Sequence, residues 1–134
     1  MSSIADGTTI PLLEKVAAFG ERRSTVLASN VANIDTPNYH RRDLPVQEFE
    51  RSLREAIQGG ASRNDLSTGP AGLPAELIHG REIASPSLTY QDNSNRSIEH
   101  EMMEMTKNLS MQSFAVTLLT TQMGMLQAAI REQA

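Results

Sequence analysis

The sequence contains no cysteine and no tryptophan, and only 4% of its 134 residues are aromatic. Without cysteine, the chain forms no disulfides and no thiolate zinc sites, and thiol catalysis is excluded. The net charge of −4 gives no basic surface for a phosphate backbone, so we expect no nucleic-acid partner. No apolar run approaches the ~20 residues that a membrane-spanning helix needs, so we expect no direct membrane insertion.

Residues 1–9 contain neither lysine nor arginine and no apolar block. They therefore do not resemble a secretory signal peptide, which begins with a basic segment followed by an apolar one. We expect a disordered, export-type N-terminus ahead of the first helix.

The N-terminal segment predicts one helix, which we place within residues 10–36. Apolar or small residues recur there at alternating spacings of three and four. Gly20 and Ser24 make the middle of this face slim, so another helix can approach closely. The charged residues are expected mostly on the solvent side; they are Glu14, Lys15, Glu21, Arg22 and Arg23. Pro37 should end the helix, because the residue before a proline is pushed towards extended geometry.

The middle segment, 37–96, is expected to be largely irregular, with a short helix near 45–57. Gly59 and Gly60 should end that helix, and glycines and prolines punctuate much of the chain after it. Leu77-Ile78 and Ile83 are candidates for short strands. The basic cluster of His40, Arg41 and Arg42 is read as a solvated loop.

The C-terminal segment, 97–132, carries the clearest pattern in the chain. Apolar residues recur there at alternating spacings of four and three, with a single polar member, which is the heptad pattern of a coiled coil. The members of this heptad seam are Ile98, Met102, Met105, Leu109, Gln112, Val116, Leu119, Met123, Leu126 and Ile130. Ser97 is a suitable N-cap. The N-terminal helix is shorter and should cover part of this seam, leaving the rest for neighbouring molecules.

The predicted fold class is therefore mainly α. Two long terminal helices form an antiparallel, coiled-coil-like pair and together make one discontinuous helical domain, completed by a short helix and a long irregular middle loop. No clustered catalytic site is visible, and we expect neither an enzyme nor a cofactor. His100 and Glu104 lie one helical turn apart, but we interpret them as a solvated pair rather than metal ligands.

Two motifs resemble a known family. The run VLASNVANIDTPNY, from Val26 to Tyr39, resembles the signature of bacterial flagellar axial proteins, Leu-Ala-x-Asn-x-Ala-Asn-x-x-Thr-x-Gly-Tyr. Asn38 replaces the usual glycine, and asparagine also accepts left-handed geometry. The run from Asn95 to Met102, followed by EMTKN and Gln112, resembles the C-terminal motif of rod proteins. Among axial proteins, the proximal rod protein B family is the most similar.

The resemblance implies a structural subunit of the proximal rod of the flagellar basal body, which polymerises by helix packing and transmits torque from motor to hook. It implies export from the cytoplasm by the flagellar type III apparatus, without a cleaved signal peptide, and a final place in the rod within the periplasmic space. The implied partners are other copies of the chain, the rod protein C family, a FliE-type rod adaptor and the MS ring.

We expect assembly to depend on two groups of residues, the end of the first helix and the heptad seam. The first group comprises Leu27, Asn30, Val31, Asn33, Thr36, Pro37 and Tyr39. The second comprises Met102, Met105, Leu109, Gln112, Val116, Leu119, Met123, Leu126 and Ile130. Two alternatives stay open from the sequence, a member of the proximal rod protein C family and a cytoplasmic coiled-coil secretion chaperone or adaptor. The chaperone would leave the motif ending at Tyr39 unexplained.

Overall fold

The computed structural model describes residues 10–58, 82–84 and 94–133. They form three helices and a two-stranded ribbon, in the order α1 (Ile10–Ala32), β1 (Arg42–Asp43), α2 (Val46–Gln58), β2 (Ile83–Ala84) and α3 (Ser94–Glu132). The expected disordered segment 1–9 and the candidate strand Leu77-Ile78 lie outside the described residues. The predicted mainly α fold with two long terminal helices is confirmed.

α1 and α3 pack side by side in opposite directions. Ser24 meets Asn108, and Gly20 lies against Gln112 further along, so residue numbers rise on one helix as they fall on the other. A methyl group built on Gly20 would lie 3.2 Å from Cβ of Gln112. The expected close approach at Gly20 is therefore confirmed, because the absence of a side chain there lets the helices come together.

The apolar core lies where α2 folds back onto α1. The rings of Phe19 and Phe49 stack with centroids 3.9 Å apart and planes 6° apart, and both side chains are fully buried. Val16, Val26 and Leu44 complete this cluster from α1 and the segment before α2, and Ala115 adds to it from α3. Phe49 and Leu53 lie four residues apart on one face of α2, which explains how a helix this short docks.

The corner after α1 is a set of tight turns that leads into the ribbon. α1 ends at Ala32, four residues before the predicted boundary at Thr36, because the amides of Ile34 and Thr36 bond to oxygens three residues earlier, as in turns. Asn38 has a φ of 61°, so the expectation that it takes left-handed geometry is confirmed. β1 then pairs antiparallel with β2, with Arg42 opposite Ala84 and Asp43 opposite Ile83. Ile83 is thus in a strand, as expected.

Candidate assembly surface and the polar seam beneath it

The face that α3 turns towards α1 mixes polar and apolar residues. Its most deeply buried side chains are Glu101, Asn108 and Ala115, spaced by seven residues. Asn108 donates from its amide to the main-chain oxygen of Gly20 and to the hydroxyl of Ser24, both at 2.8 Å. We call this intrachain contact the polar seam.

The expectation that α1 covers only part of the heptad seam is confirmed, although the most deeply buried line of α3 was not predicted. At about 100° per residue, the line through Glu101, Asn108 and Ala115 lies about 60° from the centre of the heptad seam and coincides with it at Leu119 and Leu126. Some seam members still reach the α1 side and are half-buried, namely Met105, Gln112, Leu119 and Leu126. The others are exposed: Ile98, Met102, Leu109, Val116, Met123 and Ile130. α3 also begins at Ser94, three residues before the predicted cap at Ser97.

A buried ionic cluster closes the polar seam at the ribbon end. The Arg23 guanidinium is 6% exposed and donates to both carboxylate oxygens of Asp43 at 2.9 Å and to Glu104 at 2.7 Å. Three elements, α1, β1 and α3, are therefore joined through one side chain. The expectation that Arg23 faces solvent was wrong, because two carboxylates from distant parts of the chain meet it and make its burial possible.

The pKa values in this cluster follow from its charges. Burial alone would lower the pKa of Arg23, but hydrogen bonds and attraction from Asp43 and Glu104 raise it overall. Burial alone would raise the pKa of Glu104, but hydrogen bonds from Arg23 and Lys107 lower it overall. Both groups are charged at neutral pH, and the cluster is held by full charges.

The two arginines of the basic cluster beyond the corner form ion pairs, so reading them as solvated was wrong, whereas His40 is exposed as expected. Arg41 forms an ion pair with Glu101, which is 2% exposed. Arg42 and Arg22 both reach Glu82, each at 3.0 Å. The arginines therefore fasten the ribbon to both long helices, a role that depends on partners far away in the sequence.

Asn30 connects α1 to the ribbon. Its amide nitrogen donates to the main-chain oxygen of Arg42 at 2.7 Å, and its side-chain oxygen accepts from the main-chain nitrogen of the same residue at 3.1 Å. The Tyr39 hydroxyl donates to the same side-chain oxygen at 3.2 Å. Asn33 turns back to the main-chain oxygen of Ser29 at 2.9 Å. The two asparagines thus satisfy main-chain groups at and beyond the helix end.

The remaining members of the first predicted group differ in exposure. Leu27 is 2% exposed and belongs to the interior, whereas Thr36 and Pro37 are exposed and Val31 is half-buried. Of the whole first group, Thr36, Pro37 and, in part, Val31, Asn33 and Tyr39 lie where a neighbouring molecule can touch them. The others act within the chain, as supports of the corner.

α3 carries no Asp, Glu, Lys, Arg or His from Asn108 to Ile130. Such an uncharged stretch on a partly exposed helix is typical of a surface that becomes buried against other molecules. From Ile98 to Glu132, α3 has the length and composition of a membrane-spanning helix. One such helix is weak evidence for a membrane span, since a core helix passes the same test.

Metal chemistry is not indicated in the described part of the chain. Among those residues, no group of three or more His, Asp and Glu side chains is placed to hold a metal ion. The functional residues that sequence reasoning missed are Arg23, Glu101, Glu104 and Asn108. The seven-residue spacing of Glu101, Asn108 and Ala115 could have predicted which line of α3 is buried. The apolar residues of the heptad seam recur with the same period, so the sequence alone favoured the apolar line.

Known proteins with similar sequences share one name. The chain is 31% identical over 104 residues to "Flagellar basal body rod protein FlgB" of Bacillus subtilis (strain 168), covering 75% of each chain. It is 31% identical over 116 residues to the protein of that name from Cereibacter sphaeroides (strain ATCC 17029 / ATH 2.4.9), covering 83% of this chain and 84% of the relative. The Aquifex aeolicus (strain VF5) protein of the same name is 28% identical over 111 residues, covering 74% and 73%. No protein-family model matches the chain.

Proposed function

The chain belongs to the family of flagellar basal body rod proteins FlgB, and on that premise we propose that it polymerises into the proximal rod through the exposed apolar faces of α3. As a member of this family it is a structural component of the flagellar basal body rod, not an enzyme. Its relatives carry the B name, which favours this family over the rod protein C family and over a secretion chaperone.

The observation that carries the proposal is the exposure of large apolar side chains along one helix. Leu109 is 61% exposed, Val116 45% and Met123 54%, all within the charge-free stretch of α3. Such a surface favours burial against other helices, at roughly 25 cal/mol for each Å² removed from water. A rod built from many such contacts would resist twisting and so transmit torque from motor to hook.

The polar seam supports the proposal that contacts within the chain and contacts between chains use different faces of α3. Polar and ionic contacts join α1 to α3, and several large apolar side chains of α3 remain exposed in the single chain. The intrachain contacts set the register of the helix pair, and the apolar faces remain for neighbours. The corner from Asn30 to Tyr39 is proposed to present Thr36 and Pro37 to an adjacent subunit.

The proposed partners are other copies of the chain, the rod protein C family, a FliE-type rod adaptor, the MS ring and, during export, the flagellar type III apparatus. The proposed destination is the rod within the periplasmic space, reached without a cleaved signal peptide. Membership in a rod-protein family supports these proposals.

The test is complementation of a strain from which the gene has been deleted. We expect the deletion strain to lack complete rods by electron microscopy of isolated basal bodies, and the wild-type gene to restore them. Leu109→Asp should be made and exported but give few rods and little swimming, because a charge in an apolar interface costs several kcal/mol. Ser110→Asp, next along the helix but on the outer polar face, should swim normally. Complete rods in the deletion strain would overturn the rod assignment.

A further inference from the structure

We propose that the exposed methionines of α3 are an oxidation site, at which conversion to methionine sulfoxide prevents the chain from entering the rod. This rests on the proposed function and deepens it, by naming a chemical modification that regulates the exposed apolar surface of α3. The reagent is a peroxide, and the targets are the thioether sulfur atoms of Met102, Met103, Met123 and Met125.

Burial divides the methionines of α3 into two classes. The four exposed ones have between 46% and 60% of their surface open to solvent, whereas Met105 and Met111 are half-buried. Met111 also packs against the apolar core. Because oxidation of a side-chain sulfur depends on solvent access, the exposed thioethers should react first, and the other two should be protected while the chain stays folded.

Methionine is the most readily oxidised side chain in this sequence, since there is no cysteine to compete for the oxidant. The sulfur attacks one oxygen of hydrogen peroxide and the O–O bond breaks. That oxygen stays on the sulfur as a sulfoxide, and the other leaves as water. The sulfur loses two electrons and the peroxide gains them. A methionine sulfoxide reductase that draws on a dithiol reverses the step, and it forms a disulfide and water.

Each exposed apolar side of α3 has one of these methionines near each end. At about 100° per residue, Met102 and Met123 lie about 60° apart on one side of the polar seam, and Met103 and Met125 lie about 40° apart on the other. The two members of each pair are about six helical turns, or roughly 32 Å, apart along the helix. A neighbour that packs along either side therefore covers two of the four sulfur atoms.

A sulfoxide is poorly suited to an apolar interface. Its oxygen is a hydrogen-bond acceptor on a side chain that was apolar, and its burial without a donor is unfavourable. The stretch from Asn108 to Ile130 has no charged side chain. Along it, the hydroxyls of Thr117, Thr120 and Thr121 already donate to main-chain oxygens four residues earlier. We therefore expect oxidised chains to enter rods several-fold less often than reduced ones.

The first experiment measures which sulfur atoms react in the folded, full-length chain. The purified chain is treated with hydrogen peroxide, and each sulfoxide is quantified by mass spectrometry of tryptic peptides. Cleavage after Lys107 leaves Met105 on one peptide and Met111 on the next, each together with two of the exposed methionines. Both peptides thus contain a half-buried control. The exposed methionines should oxidise at least several-fold faster than the control, and all should react alike in concentrated urea.

The second experiment measures assembly in a strain from which the gene has been deleted. The gene is expressed from an inducible promoter with and without sublethal hydrogen peroxide, and rods are counted by electron microscopy of basal bodies. Peroxide should lower the number of wild-type rods several-fold. A chain with leucine at all four exposed positions should be less sensitive, since leucine has a similar volume and no sulfur. The matched control, Met105→Leu with Met111→Leu, should be as sensitive as wild type.

A third pair of variants needs no peroxide and avoids oxidation of other proteins. Met102→Gln with Met123→Gln imitates the polarity of the sulfoxide and should give several-fold fewer rods. Met102→Leu with Met123→Leu keeps the side apolar and should assemble normally. Circular dichroism of the purified chains should show the same helix content in both.

Two outcomes would overturn the proposal. One is oxidation of all six methionines of α3 at similar rates in the folded chain. The other is a normal number of rods from the glutamine variant, together with equal peroxide sensitivity of the wild-type and four-leucine chains. Both outcomes leave the rod assignment intact, whereas complete rods in the deletion strain would overturn the proposed function itself.

Discussion

The Asn108 side chain donates a hydrogen bond to the main-chain oxygen of Gly20, 2.8 Å away, at the centre of the helix pair. Coiled coils normally place an apolar side chain at such a position, and a polar one fixes register at a cost in stability. Because Gly20 has no side chain, Gln112 packs directly over it beside this contact. A specific polar contact thus helps to align the two long helices, beside the apolar contact that Ala115 of α3 makes with the core.

Removing the amide should weaken the helix pair. Asn108→Ala deletes the donor to Gly20 and to Ser24, so we expect the free energy of unfolding to fall by about 1–2 kcal/mol. Urea denaturation followed by circular dichroism measures this change. Gln127→Ala removes an exposed amide from the same helix and should shift the midpoint little. Equal effects of the two substitutions would mean that the polar seam does not hold α1 to α3.

Two glycines provide a matched test of the close approach. Gly124→Ala meets no atom within 4 Å and should stabilise the chain by up to about 1 kcal/mol through helix propensity. Gly20→Ala gains the same propensity but places a methyl group 3.2 Å from Gln112, so it should stabilise less. Gly20→Val should be destabilising by about 1–3 kcal/mol through overpacking. Thermal unfolding of the three variants checks the order, and a Gly20→Ala chain as stable as Gly124→Ala would argue against close packing.

The stacked phenylalanines should be the main attachment of α2. Phe49→Ala removes a fully buried ring, and we expect a loss of about 3–5 kcal/mol and release of α2 from α1. Hydrogen exchange would show the release as loss of amide protection from Val46 to Gln58. The comparison is Ile57→Ala, at a side chain that is 63% exposed on the same helix, which should leave protection unchanged.

Acid should loosen the ionic cluster. Because the pKa of Glu104 is lowered in the folded chain from its usual 4.5, its stabilising contribution is complete above pH 4.5 and is lost as the pH falls through the folded-state pKa. Glu104→Gln should therefore be less stable than wild type at pH 7, and the difference should shrink as the pH falls. Urea midpoints from pH 7 to 3 measure it, with Glu55→Gln on the exposed side of α2 as control. A constant difference across that range would show that the Glu104 charge does not contribute.

The corner should be needed for assembly more than for folding of the long helices. Asn33→Ala and Tyr39→Ala should be exported but give few complete rods, because the turns that follow α1 lose their support. Tyr39→Phe removes only the hydroxyl that bonds to Asn30 and should have a milder effect. Electron microscopy of basal bodies and swimming assays distinguish them. Normal rods in both alanine variants would show that the corner acts only as a turn and is not needed for assembly.

The sequence by itself determined the helices and the corner. Local patterns were enough to place α1 and α3, because both follow apolar periodicity, although the end of α1 and the start of α3 lie four and three residues from the predicted boundaries. The left-handed Asn38 and the close approach at Gly20 were predictable for the same reason, since each depends on the properties of one residue type.

Only the tertiary structure decided which line of α3 faces α1. Two lines of the same seven-residue period run side by side on this helix, and periodicity cannot rank them. The choice rests on contacts between residues far apart in sequence, where Arg23 meets Asp43 and Glu104, and Asn108 meets Gly20. A buried charge is stable only when its partners are in place, and those partners come together only when the chain folds.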